Sequence, residues 1–281
     1  MKEFEINKFT PQCGAEVRGL DLSSPLSPFA VERLKVSLAE HCVLFFRNQV
    51  LTPSKLKLLG QAFGELHLHP AWPRLVSGHP EVMEIYADEN TKRIAGEDWH
   101  SDVSCDPEPP LGSMLYLFEV PPQGGDTLFA NMYEAFEALS SPLQKLIEEL
   151  TALHDGEKTY RGRYEGMVED GKVYPCSKHP VVRTHPITGR PLLFVNRIFT
   201  TCILGLSRAE SDSLLELLFR HIEQPKFQCR FQWQSGSLAF WDNRCVQHHA
   251  IWDYYPHRRV GHRVTIKGDT PFFRKNHEKH A

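Results

Sequence analysis

The 281 residues include 32 basic and 35 acidic side chains, a net charge of −3 with histidine neutral, and 41% of them are hydrophobic. These ordinary globular proportions exclude a collagen-like repeat, a disordered acidic chain and a disulfide miniprotein. A charge this close to zero gives no electrostatic drive toward nucleic acid or an anionic membrane.

The first residues, Met1 to Asn7, mix charges and lack an apolar stretch, so no signal peptide is expected. No apolar run approaches the ~20 residues that span a bilayer, so no membrane segment is expected either. A helix is predicted from Ser27 to His41, where Ser27-Pro28 supplies a cap and a proline at the first helical position. A strand follows at Cys42 to Phe46. Thr52-Pro53 opens a second helix, which Gly64 stops. Strands are predicted at Val82 to Tyr86 and Gly112 to Phe118. Asn131 to Leu150 reads as a pair of helices around Ser140-Ser141-Pro142. A strand at Leu192 to Asn196 precedes a helix from Ser207 to Ile222, which begins with a capping-box sequence. The chain closes with strands at Phe227 to Trp233, Ser237 to Trp241 and Arg259 to Ile266. Short strands with a few helices that do not alternate regularly with them predict a mainly β jelly roll with flanking helices, in one domain over 1–281.

The seven cysteines (Cys13, Cys42, Cys105, Cys176, Cys202, Cys229, Cys245) form no Cys-x-x-Cys pair and are odd in number. They read as reduced thiols in a cytoplasmic protein. The 15 histidines lean toward metal or acid–base chemistry. Three His-x-acid patterns occur: His79-Pro80-Glu81, His100-Ser101-Asp102 and His221-Ile222-Glu223. Side chains at i and i+2 share a face on a strand but diverge by roughly 200° on a helix. His221 and Glu223 sit at a helix end, and Pro80 should break strand pairing around His79. His100 and Asp102 are left as the pair in an extended setting. A third ligand is expected in Phe240-Trp241-Asp242-Asn243-Arg244-Cys245-Val246-Gln247-His248-His249-Ala250, where either histidine could serve. Two histidines and one carboxylate on one face of an ion suit Fe(II) and leave positions open for oxygen chemistry.

Several ordered motifs carry a resemblance to a known family. They are Gly14-Ala15-Glu16-Val17-Arg18-Gly19-Leu20-Asp21-Leu22, Phe63-Gly64-Glu65-Leu66-His67-Leu68-His69-Pro70, Trp99-His100-Ser101-Asp102 and Gly124-Gly125-Asp126-Thr127, then His179-Pro180-Val181-Val182-Arg183-Thr184-His185-Pro186, Trp241 to His248, and Tyr255 to Arg263. Nearly end to end, the chain resembles the taurine/2-oxoglutarate dioxygenase family of non-haem iron oxygenases. The resemblance implies a double-stranded β-helix fold, Fe(II), 2-oxoglutarate and O2, with succinate and CO2 as products. It implies His100, Asp102 and His248 as iron ligands, and Arg259 with Thr127 on the far carboxylate of 2-oxoglutarate. An arginine suits that carboxylate because its planar fork reaches both oxygens. The resemblance further implies Arg263 and His69 on an anionic group of the substrate, with Tyr160 and Phe199 as walls. On a strand Arg259, Gly261 and Arg263 share a face, and Gly261 is expected to leave room for ligands between the two cations.

Two departures stand out. Gly96 occupies the place of an asparagine found in taurine enzymes, and the lid-like stretch Gly156 to Lys178 is shortened. The expected substrate is therefore a small anionic organic molecule, a taurine-like sulfonate or a related phenoxyacid, alkyl sulfate or amino acid. Homo-oligomers, dimer or tetramer, are implied by the resemblance. Rival readings are a non-catalytic jelly-roll binding protein and a zinc hydrolase on the same three ligands. No Gly-x-Ser-x-Gly supports a serine hydrolase.

Overall fold

The computed structural model describes residues 4–71, 74–163 and 171–274. Its centre is an eight-stranded sheet. In spatial order the strands are Glu5–Lys8, Ala15–Arg18, Val43–Phe46, Ser237–Asp242, Gly112–Glu119, Arg259–Ile266, His79–Ala87 and Leu75–Val76. Neighbours are antiparallel except Ala15–Arg18 against Val43–Phe46. A second sheet of three strands, Gln228–Phe231, Thr127–Asn131 and Val246–Ala250, packs against it. Phe231 stacks on Phe45 at 4.0 Å, and Phe129 meets Phe45 and Trp241. The architecture is the mainly β jelly roll with flanking helices that the pattern of elements predicts.

The central strands read as unbroken apolar runs because both of their faces are covered. In Val43–Phe46, Leu44 and Phe46 meet Leu34 and Leu38 of the helix Pro28–His41 and Leu56 and Leu59 of the helix Pro53–Gln61. Val43 and Phe45 face the second sheet instead. The same alternation runs through Arg259–Ile266. Val264 and Ile266 join the helix-side core, so Arg259, Gly261 and Arg263 are turned the other way, between the sheets. That choice of face decides where the cations go.

Capping set the helix starts correctly. Ser27 accepts from the Ala30 amide at 3.2 Å and Thr52 from Lys55 at 3.3 Å. Ser207 and Glu210 close a reciprocal capping box on Arg208–Ile222. The expected pair of helices forms as Met132–Glu137 and Ser141–Ile147. The strand predicted over Leu192 to Asn196 is only Pro191–Leu193, because Asn196 turns the chain by accepting from the Phe199 amide at 2.9 Å. The strand predicted over Phe227 to Trp233 contracts to Gln228–Phe231, since Phe227 closes a 3₁₀ turn begun at Pro225. Pro80 does not end its strand, which runs His79–Ala87. Pairing with Arg259–Ile266, however, covers only Met83 to Ala87, so the proline sits beyond the part of the ladder that needs its N–H. Among the described residues no helix is long and apolar enough to cross a membrane. All seven cysteines are free thiols.

Candidate active site

The strand Val246–Ala250 pairs with Thr127–Asn131, and beyond it the chain at His100 forms an isolated bridge to His248, with reciprocal amide bonds of 3.1 and 2.9 Å. This bridge sets the two histidines side by side, their rings 4.1 Å apart. Asp102 does not continue a strand, as the sequence reading assumed. The backbone turns at Asp102, Val103 adopts a φ of 46°, and the Asp102 amide donates to Asn243 Oδ1 at 3.2 Å. The turn, rather than a strand face, carries the carboxylate under the imidazoles. Asp102 Oδ1 lies 3.6 Å from His100 Nε2 and 3.7 Å from His248 Nε2. These separations are too long for hydrogen bonds. All three ligand atoms lie within 4.8 Å of one another, and the three side chains are buried. His249 points elsewhere, its ring 5.6 Å from that of Trp99, so adjacency on an extended strand separates the two histidines.

The other carboxylate oxygen of Asp102 is fully engaged. Oδ2 accepts from Ser113 Oγ at 2.9 Å and from Trp241 Nε1 at 3.1 Å, and it ion-pairs with Arg263. Burial alone would raise the pKa of Asp102. The Arg263 cation and the flanking imidazoles outweigh it and hold the group well below the usual carboxylate range. Burial and the neighbouring His100 push His248 well below the ordinary histidine value, so its imidazole is neutral. His100 Nδ1 contacts the Asp98 carbonyl at 2.8 Å, which puts its proton there and leaves Nε2 as a lone-pair donor. A buried carboxylate with one oxygen held by three donors and the other facing two imidazole nitrogens fits a divalent ion with nitrogen and oxygen preference, Fe(II) among them.

A cavity of about 750 Å³ opens over these groups. His100, His248 and Trp241 line it, together with Thr127, Trp233, Arg259 and Arg263. Arg259 is buried, its Nε donates to the Gly125 carbonyl at 3.3 Å, and among the described residues it has no carboxylate partner. Its guanidinium lies 5.6 Å from the Trp233 ring centroid. Gly125 stands at φ 71°, and a Cβ there would come within 3.3 Å of Arg259 Cδ. Arg263, in contrast, is already bound to Asp102 and Ser113 and lies over Trp241 at 5.2 Å. Gly261 does not open ligand space between the two arginines. Its Cβ would meet the Tyr116 carbonyl at 2.3 Å and Leu117 Cδ2 at 2.4 Å, so close approach of the neighbouring strand, at a register shift, requires the glycine.

His69, Tyr160 and Phe199 form a group beside the cavity. The His69 ring lies 5.5 Å from Tyr160, and Tyr160 lies 5.7 Å from Phe199, in a small core with Val103, Cys105 and Tyr174. His69 Nδ1 accepts from the Ala71 amide at 3.1 Å, which fixes the proton of the neutral ring on Nε2. Burial and the Arg263 cation bring its pKa down to about 3. Gly96, with φ 82°, lines the cavity, and a Cβ there would touch His100 Cε1 at 3.0 Å. Of the stretch from Gly156 to Lys178, residues 164–170 lie outside the described residues.

Sequence reasoning did not single out Ser113, Trp233 or Asn243 as working parts. Only the Trp-Asp-Asn run gave a signal. A second buried group, His185, Asp242 and Cys245, also comes together. It is a structural lock. His185 Nδ1 accepts from the Ile187 and Thr188 amides at 3.2 and 3.3 Å, leaving Nε2–H for Asp242 at 3.2 Å. Arg244 grips the same carboxylate through both oxygens at 2.8 and 2.6 Å, so it has no lone pair to spare for an ion.

The chain is similar to known proteins over nearly its whole length. The model of the family described as "Taurine catabolism dioxygenase TauD, TfdA family" matches residues 5–265. An α-ketoglutarate-dependent sulfonate dioxygenase of Saccharomyces cerevisiae is 34% identical over 96% of this chain and 68% of its own. An α-ketoglutarate-dependent sulfate ester dioxygenase of Pseudomonas putida is 32% identical over 96% of this chain and 91% of its own. The crystal structure of a taurine dioxygenase from Burkholderia xenovorans superposes with a TM-score of 0.83 at 34% identity, covering 96% of this chain and 93% of the other.

Proposed function

We infer the activity from the premise that the chain belongs to the TauD, TfdA family of α-ketoglutarate-dependent dioxygenases and from the residues gathered in its cavity. The protein is an Fe(II)- and 2-oxoglutarate-dependent dioxygenase that hydroxylates a small sulfonate or sulfate ester and releases succinate and CO2. His100, Asp102 and His248 hold the iron, and Thr127 and Arg259 hold the co-substrate. The observation that carries the reading is the pairing of a His-Asp-His cluster with a separate buried guanidinium in one cavity. An unpaired buried cation is costly, and a carboxylate delivered by the co-substrate relieves it.

Iron, when bound there, supplies the oxygen chemistry that couples decarboxylation of 2-oxoglutarate to hydroxylation of a C–H bond. The chain's own residues bind, orient and exclude water. Asp102 presents one oxygen to the metal because Ser113, Trp241 and Arg263 occupy the other. Arg259 sits in a buried part of the cavity, where its interaction with a carboxylate is screened less than at the surface. His69 stands beside the end of the pocket read here as the anionic-group site and stays uncharged at neutral pH. Arg263 does double duty in this reading. It keeps Asp102 ionised, and its remaining donors complete the sulfonate contact with His69, while Tyr160 and Phe199 back that end of the pocket. Gly96, where taurine enzymes carry asparagine, is held at φ 82° with His100 Cε1 only 3.0 Å from the place of a Cβ, so this chain offers no side-chain contact to the substrate there.

The reading extends to one dioxygenase domain over 1–281, working in the cytoplasm as a dimer or tetramer and without nucleic acid or membrane. The family match over 5–265 supports the single domain, and the free thiols support a reducing compartment. The test is succinate release from 2-oxoglutarate with Fe(II) and ascorbate over a panel of sulfonates, alkyl sulfates, phenoxyacids and amino acids. Turnover stimulated by a sulfonate or sulfate ester is the expected result. Absence of any iron-dependent succinate, coupled or uncoupled, would contradict the reading, and turnover without O2 or 2-oxoglutarate would point to a hydrolase.

A further inference from the structure

We propose that Trp233 is a positioning residue for the co-substrate, an assignment that rests on the function inferred above. Its indole N–H can only donate, and it donates to Thr127 Oγ1 at 3.0 Å. A hydroxyl that accepts one bond keeps a single proton to give, and no group among the described residues takes it from Thr127. Trp233 therefore fills one acceptor site of the hydroxyl and orients its proton toward the cavity that Thr127 lines. A carboxylate, which only accepts, is the partner that this arrangement selects. The same indole ring faces the Arg259 guanidinium at 5.6 Å, while Arg259 Nε is tied to the Gly125 carbonyl. One side chain thus sets the hydrogen-bond polarity of the threonine and holds the plane of the arginine. Trp233 itself is braced edge-on by Phe231 at 4.9 Å, within the second sheet. Its register to Thr127 follows from pairing of Phe231 with Thr127 across that sheet. Among the described residues no hydrogen bond or ring contact joins Trp233 to His100, Asp102, His248 or His69, so its effect is expected at the far carboxylate of the 2-oxo acid.

The experiment is anaerobic calorimetry of 2-oxoglutarate binding to the full chain loaded with Mn(II), which does not turn over. Trp233→Phe keeps a ring under Arg259 and removes the N–H. Thr127→Val removes the hydroxyl, and the double variant closes a cycle. About tenfold weaker binding of 2-oxoglutarate is expected in each single variant, with unchanged Mn(II) affinity and melting temperature. The double variant should be no weaker than Thr127→Val alone, because the indole N–H acts on the co-substrate only through that hydroxyl. Wild-type affinity in either single variant, or losses that multiply in the double variant, would overturn the assignment. A purely structural role would lower melting temperature and metal affinity together, which also overturns it. If Trp233→Phe does not fold, Trp233→Leu takes its place as the variant without the N–H, and wild-type affinity there overturns the assignment equally. Failure of the wild-type protein to bind 2-oxoglutarate at all would instead refute the underlying function.

Discussion

Replacing Ser113 by alanine should loosen the hold on Asp102, a proposed metal ligand, without touching any of the three proposed ligands. Ser113 Oγ donates to Asp102 Oδ2 at 2.9 Å and accepts from Arg263 at 3.0 Å and from Asn243 Nδ2 at 3.2 Å. The side chain is fully buried on a central strand, and alanine fits its volume. A hydrogen bond to an ionised group is worth about 1.5–3 kcal/mol. Loss of a residue that orients a metal ligand typically costs about 10–100-fold in metal affinity, or roughly 1.4–2.7 kcal/mol. The two ranges overlap, so a weakening of about 30-fold is expected. Trp241 and Arg263 still hold Oδ2, which is why the loss should stop short of abolition. Anaerobic titration of Fe(II) or Mn(II) measures it, with circular dichroism and thermal melting as controls for the fold. Wild-type affinity in Ser113→Ala would refute the claim that this network aims the carboxylate. A parallel collapse of melting temperature would show that the hydroxyl serves the core instead.

Two further outcomes follow from the same structure. Arg259→Lys keeps the charge but loses the planar fork, so the apparent KM for 2-oxoglutarate should rise about tenfold or more while metal affinity stays put; equal weakening of metal and co-substrate would contradict the separation of the two subsites. His154 is fully buried, and burial lowers its pKa to about 3. The unfolded chain protonates this histidine near pH 6.5 and the folded one does not, so the unfolded state binds more protons between those values. Stability should therefore fall as pH drops below about 6.5, by about 2 kcal/mol from His154 alone at pH 5. Urea unfolding at pH 7 and pH 5 checks this, and an unchanged midpoint at pH 5 would refute it.

The legible parts of the fold were those where one local rule dominates. Ser27-Pro28 and Ser207-Arg208-Ala209-Glu210 announce helix starts through caps that form as the residues dictate. Val43–Phe46 and Ser237–Asp242 are apolar enough to be read as buried strands. The strands Thr127–Asn131 and Val246–Ala250 were not read as strands. Their polar positions, Thr127, Asn131, Gln247 and His248, break the apolar pattern: Thr127 and His248 line the cavity, Asn131 caps the helix Met132–Glu137, and Gln247 donates to the Val195 carbonyl. His100 and the His248–His249 pair were reachable from the sequence because few residue types suit a metal; the family resemblance alone chose His248, and geometry sets His249 aside only through the bridge to residue 100. Gly261 illustrates the opposite error. A glycine between two arginines invites a ligand-based reason, whereas the actual constraint is the Tyr116 carbonyl of a strand more than a hundred residues away in sequence. Ser113 and Trp233 carry no local signature, since their importance lies wholly in what the fold places beside them.

The most direct test of the account is the stoichiometry of Fe(II) binding under anaerobic conditions in three proteins: wild type, Asp102→Asn and His249→Gln. One ion per chain is predicted in the wild type and in His249→Gln, with binding lost or severely weakened in Asp102→Asn. Retention of the ion by Asp102→Asn, or its loss from His249→Gln, would contradict the assignment of the three ligands.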